Sequence, residues 1–190
     1  MSMNVTYELS ENAVLTLDCD LLLMSQVLVP YYEHTQYLKS ARVQVLGDPC
    51  DMGHISACCT FEIPESCYIK NTGHFNSVEF NICYNQMMYY LIAKSVKHQL
   101  MSAFQAWTLD DYFIKQLPDI LIVNFKSKFK RPICGTRFTG EIDFIQTKVK
   151  RITNPLIYLT SVCRFYDADN GYCEGEIDLV IMNSLDREKP

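Results

Sequence analysis

The sequence has no CxxC pair although it carries nine cysteines, an odd number, and it opens on MSMNVTYELSENAV, where no basic segment leads into an apolar run. Those absences argue against a secreted disulfide framework and predict reduced thiols in a cytoplasmic protein. No apolar segment approaches the length of a membrane span, so no spanning helix is expected. A net charge of −5 lacks the basic excess that a phosphate backbone demands, and nucleic acid is not an expected partner. The four histidines, His34, His54, His74 and His98, have no metal-ligand spacing; neither a metal nor a cofactor is expected. Internal repeats and low-complexity segments are also missing.

What is present suits one domain, 1–190, with residues 1–30 as an N-terminal helical extension and 186–190 as a frayed tail. A chain of 190 residues can bury roughly 70% of its unfolded surface. Hydrophobic content of 48% against 21% charged residues excludes a disordered chain. Twelve Tyr and ten Phe suit an apolar ligand channel and equally an ordinary core. Eight of the 17 Lys and Arg fall between Lys126 and Arg151, whereas Asp167, Asp169, Glu174, Glu176 and Asp178 make the end acidic. The basic patch fits coenzyme phosphates or an acidic carrier protein; a solvated strand face is the other reading.

Leu17 to Val29 has the pattern of a short amphipathic helix ended by Pro30. Two β-like runs, Ala41 to Leu46 and Ile55 to Ile63, flank the turn residues Gly47, Asp48, Pro49 and Gly53. Apolar side chains then recur at Phe80, Cys83, Tyr84, Met87, Met88, Leu91, Ile92 and Val96 with helical spacing, and from Met87 to Ala93 every residue is apolar or aromatic. Such a helix belongs inside the protein, with Lys94, Lys97 and His98 marking its return to water. A loop or short helix is expected from Trp107 to Gln116. Ile120 to Phe129, Phe138 to Lys150, Leu156 to Tyr166 and Tyr172 to Met182 read as strands, split by Pro132, Gly135, Pro155 and an Asp169-Asn170-Gly171 turn. Short connections favour antiparallel pairing. The class is α+β, and a long antiparallel β-sheet wrapped around a central apolar helix is the hotdog architecture, although element order alone fits other α+β folds.

The chemistry is expected where the polar loop from Thr72 meets the apolar helix, because unpaired N–H groups at a helix start favour an anion or a developing oxyanion. Asn76 and Glu79 stand at capping-box spacing; capping is one reading, orientation of a water or an amine by Asn76 the other. His74 is a candidate base or carbonyl donor. Asn85, a carboxamide on an apolar helix, needs partners, either a ligand or a backbone group. Cys83, on the apolar face, and Cys134 have no recognisable histidine partner, which disfavours covalent catalysis. Lys126, Lys128 and Lys130 share one strand face and, with Arg131, form either a dock for phosphopantetheine, coenzyme A or a carrier, or an edge guarded against aggregation.

Gly73-His74-Phe75-Asn76-Ser77-Val78-Glu79-Phe80-Asn81-Ile82-Cys83-Tyr84-Asn85-Gln86, Gln116-Leu117-Pro118-Asp119-Ile120-Leu121-Ile122 and Phe129-Lys130-Arg131-Pro132-Ile133 resemble the FcoT-like hotdog family. The resemblance spans roughly Tyr31 to Met182. That family includes long-chain fatty acyl-thioester hydrolases and relatives, implicated in isonitrile lipopeptide pathways, that add glycine to an enoyl-carrier-protein thioester. It implies a double-hotdog homodimer or higher homo-oligomer acting on a fatty acyl or (2E)-enoyl thioester of coenzyme A or acyl-carrier protein. Asn76, Tyr68, His74 and Asn85 are the expected catalytic groups. Tyr32, Gly73, Ser77, Glu79, Tyr84, Met88, Lys128, Lys130 and Arg131 are expected to contact substrate. Backbone N–H groups from Asn76 to Glu79 would polarise the thioester carbonyl. Hydrolysis is the primary expectation, with lyase-type glycine addition and non-catalytic acyl binding as alternatives. The Gly-His-Phe triplet also resembles hotdog dehydratases, but Tyr84 to Met88 supply no acid, which disfavours dehydration.

Overall fold

A computed structural model describes residues 14–47, 54–70, 73–150 and 155–183. The expected tail at 186–190, residues 1–13 of the extension, and Asp48, Pro49, Gly53 and Thr72 lie outside the described residues.

In chain order the elements are β1 (Val14–Leu17), α1 (Leu21–Leu28), β2 (Leu38–Leu46), β3 (His54–Phe61), α2 (Ser77–His98), α3 (Leu109–Lys115), β4 (Ile120–Arg131), β5 (Phe138–Lys150), β6 (Leu156–Tyr166) and β7 (Tyr172–Met182). The strands form one antiparallel sheet in the order β1-β2-β3-β5-β6-β7-β4. β2, β3 and β5 pack against α2, whose residues from Met87 to Val96 are all buried. This is the hotdog arrangement, and its last four strands begin and end within two residues of the apolar runs in the sequence. No helix among the described residues is long and apolar enough to cross a membrane.

The front of α2 is fixed by aromatic packing. Phe75 and Phe80, on either side of the helix start, sit among Phe61, Phe138 and Phe165. Two glycines make the space: a Cβ on Gly140 would stand 2.7 Å from the rings of Phe61 and Phe165, and one on Gly175 2.8 Å from that of Phe80. With both phenylalanines pinned inward and the Phe75 N–H donating to the Ile133 carbonyl at 2.9 Å, His74, Asn76 and Ser77 face outward.

The other end of α2 differs from expectation. Lys94 does not return to water: it is buried, its Nζ donates to the Asp18 carbonyl at 3.0 Å, and it lies 4.0 Å from Asp20 Oδ2. The segment before α1 covers this turn, and a long apolar stem with a charged tip can be buried wherever the tip finds acceptors. Asp20 also explains why the first helix starts later than its apolar pattern, since it caps α1 by accepting from Leu23 N–H at 3.1 Å while Leu17 belongs to a strand.

Candidate active site

The helix start is a complete capping box. Asn76 Oδ1 accepts from Val78 N–H at 3.0 Å and Glu79 N–H at 3.3 Å, and Glu79 Oε2 accepts from Asn76 N–H at 3.2 Å. Three of the four amides expected to serve an oxyanion are therefore consumed by the cap itself. Ser77 N–H is the one amide of this turn without an acceptor among the described residues, and it faces the surface. A helix-start donor to a thioester oxygen thus narrows from a stretch of backbone to one group.

Two hollows flank this turn. The larger, about 390 Å³, is lined by His74, Asn76, Ser77, Phe129, Lys130 and Arg131. The smaller, about 140 Å³, is lined by Ser66, Gly73, His74, Glu79, Cys134 and Thr136. His74 belongs to both, so it forms their common wall. Gly73 makes the bend between them at φ +76°, a backbone region that disfavours side chains with a Cβ.

The mouth of the larger hollow is cationic and ordered. Lys130 Nζ lies 2.9 Å from Glu174 Oε1 and 5.3 Å from the Tyr172 ring, and Arg131 Nε donates to the Asn170 carbonyl. The Lys130 hydrogen bond holds the partly exposed Glu174 carboxyl below its usual range. Lys128 stands elsewhere, in a groove of about 320 Å³ shared with Lys126, Arg164 and Glu174. In register, Lys126 faces Glu176 and Lys128 faces Glu174, so the lysine stripe is largely answered by the neighbouring acidic strand.

The structure thus gathers Gly73, His74, Asn76, Ser77, Glu79, Lys130 and Arg131 around one turn. Other candidates stand apart from it within this chain. Tyr68 is half exposed and lines neither hollow; Tyr32 is 80% exposed and stacks on His34. Tyr84 is buried with its hydroxyl 2.8 Å from Ser161 Oγ, burial pushes that phenol well above its usual range, and Met88 is buried too. Asn85 is half exposed instead of embedded, donating to Asn81 Oδ1 at 3.4 Å on a face shared with Val78 and Ile82. The buried carboxamide is its neighbour Gln86, which accepts from Tyr37 and Leu38 N–H and donates to the Thr35 carbonyl, a purely internal tie.

Sequence reasoning missed Ser66 and Thr136 as wall residues, and no local signal marks them, because they reach the turn from separate segments; Phe129 stands in the motif with Lys130 and Arg131 but was not singled out. The two cysteines also separate: burial pushes the Cys83 thiol well up, whereas a hydrogen bond to Thr136 lowers that of exposed Cys134. Among the described residues no cluster of His, Cys, Asp or Glu could hold a metal ion.

Residues 26–181 match the model of the FcoT-like thioesterase domain. The chain is 49% identical over 166 residues to a (2E)-enoyl-[ACP] glycyltransferase of Streptomyces coeruleorubidus, covering 86% of this chain and 98% of that protein. It is 35% identical over 162 residues to the protein of the same name from Mycobacterium marinum, covering 85% of each. Among solved structures, a thioesterase from Haemophilus influenzae is similar over 77% of this chain and 82% of that one, at 10% identity and a TM-score of 0.40.

Proposed function

Since the chain belongs to the FcoT-like thioesterase domain family and is an enzyme, we propose that it adds glycine across the double bond of a (2E)-enoyl thioester borne by an acyl-carrier protein. The observation that carries this reading is the 49% identity extending over 98% of a protein named (2E)-enoyl-[ACP] glycyltransferase. It displaces hydrolysis as the primary expectation.

The geometry supports it. In conjugate addition the amine lone pair attacks the β-carbon, the C=C electron pair moves toward the thioester carbonyl, and the oxygen becomes an enolate. Ser77 N–H, on the wall of the larger hollow, is the helix-start donor for that oxygen. Phe129 supplies an apolar wall for the acyl part, and Lys130 with Arg131 suits the phosphate of a phosphopantetheine arm at the mouth. The C–S bond stays intact, so the product remains on its carrier. We further take the working unit to be a double-hotdog dimer, because β4 ends the sheet, its outer edge unpaired among the described residues, with Leu121, Val123 and Phe129 exposed.

Hydrolysis stays as the second reading because the family model is that of a thioesterase domain. Intact-mass spectrometry of an enoyl-loaded carrier protein, incubated with enzyme with and without glycine, separates the two. The expected product is heavier by one glycine and releases no thiol. Thiol release without an adduct makes the protein a hydrolase, and neither product makes it an acyl-binding module.

A further inference from the structure

We infer that the 140 Å³ cavity behind the helix start is the subsite of the amino-acid donor, with Ser66 holding its amine and Glu79 carrying its proton. This rests on the glycine-addition reading above.

Three observations lead to it. First, the cavity adjoins the acyl hollow through the single wall of His74, so a molecule in each places two reactants side by side. A two-substrate addition requires that adjacency. Second, two polar groups of the cavity are under-used. Glu79 is 3% exposed, and among the described residues its carboxylate accepts from Asn76 N–H alone, at 3.2 Å. An ionised carboxylate has about four acceptor sites. Ser66 Oγ is buried with no partner among the described residues. Buried polar groups are ordinarily satisfied, and one that is not points to a ligand or a water. Third, charge sorts the two hollows. Glu65 and Glu79 line the small cavity, which suits an ammonium group, whereas Lys130 and Arg131 stand at the large one, which suits a phosphate. The small volume confines the donor to an amino acid with little or no side chain.

The proton count closes without an outside acid or base. Glycine enters as its ammonium form and gives one proton to the Glu79 carboxylate. The neutral amine then attacks the β-carbon, forming the C–N bond while the C=C pair becomes the enolate. Protonated Glu79 returns its proton to the α-carbon, the enolate collapses to the thioester, and the product leaves as a secondary ammonium with Glu79 ionised again.

Steady-state kinetics of adduct formation in wild type, Ser66→Ala and Glu79→Gln test this, with glycine and the enoyl-carrier varied separately. Ser66→Ala is expected to raise the glycine KM about tenfold, the loss of one hydrogen bond to a charged group, with the enoyl KM unchanged. Its Tm should hold or rise, because the residue deleted is an unpartnered hydroxyl; a merely structural serine would leave the glycine KM where it was. Glu79→Gln keeps a side-chain acceptor for the cap but carries no proton. Its kcat at neutral pH should fall by about 100-fold and recover as pH rises toward the range where glycine is a free amine. Wild-type adduct formation with both variants keeping the wild-type glycine KM and pH profile overturns the subsite while leaving glycine addition standing. Wild-type protein that forms no adduct overturns both.

Discussion

At the scale of single residues, Asn76 shows how a structural and a chemical role meet in one side chain. Its Oδ1 is engaged twice by the helix it caps, so Asn76→Ala should lower stability by about 1 kcal/mol and depress Tm whatever else it does. Asn76→Ser retains a capping oxygen and should restore Tm. If the amide also contacts substrate, the serine variant stays slow at full stability, and recovery of rate together with Tm removes Asn76 from the chemistry. The Asn-x-x-Glu spacing made the cap legible, because capping is decided within one turn of chain. Gln86 was not legible: its acceptor faces Tyr37, 49 residues earlier, and no local rule reaches that far. Gln86→Leu should be far more damaging than the cap variant. It leaves the buried N–H groups of Tyr37 and Leu38 and the carbonyl of Thr35 without partners, at about 1–3 kcal/mol for each group, and chemical denaturation should report a loss above about 3 kcal/mol.

Between elements, the joint of α1 with the end of α2 turns on Asp20, which caps α1 and accepts from Lys97 Nζ at 2.6 Å. The Lys97 hydrogen bond, then that of Leu23 N–H, holds the Asp20 carboxyl below its ordinary value of 3.8. A folded-state pKa below the unfolded one means that the unfolded chain takes up the proton first as acid is added. The stability contributed by Asp20 is therefore fully present above the unfolded value and is lost as pH falls through the folded one. Asp20→Asn should be less stable than wild type at pH 7, with the gap closing below about pH 4, as urea denaturation at pH 7 and pH 3 can compare. Equal gaps at the two pH values would falsify the assignment. This joint escaped sequence reading because Lys94 and Lys97 look like a solvated helix end until Asp18 and Asp20 arrive from another element. Strands β4 to β7 were legible in advance because each is long, rich in β-branched and aromatic residues, and bounded by proline or glycine.

For the whole molecule, the class of fold followed from one apolar helix among strands, but strand order did not, and order is what makes β4 an edge. Nothing in the run Ile120 to Arg131 says that its partner is β7 and that its other side is bare among the described residues. Twelve residues of edge are a long template for another chain, and proteins blunt such edges with lysines and bulges or pair them. Here Lys126 and Lys128 are matched by Glu176 and Glu174 on the outer face, and irregularities between Ile122 and Asn124 and between Phe129 and Arg131 bound a regular stretch that remains available. A second copy related by a two-fold axis would extend the sheet antiparallel through that stretch and, where the pairing continues toward the start of β4, cover Leu121 and Val123. The double variant Leu121→Lys, Val123→Lys alters only exposed positions, so the chain should fold with an unchanged circular dichroism spectrum. Sedimentation equilibrium should show wild type as a dimer and the variant shifted toward monomer. Because Phe129 lies on this strand and lines the acyl hollow, loss of the dimer should also raise the enoyl-carrier KM. A wild-type protein that sediments as a monomer at micromolar concentration and still forms the glycine adduct would separate the edge from the chemistry altogether.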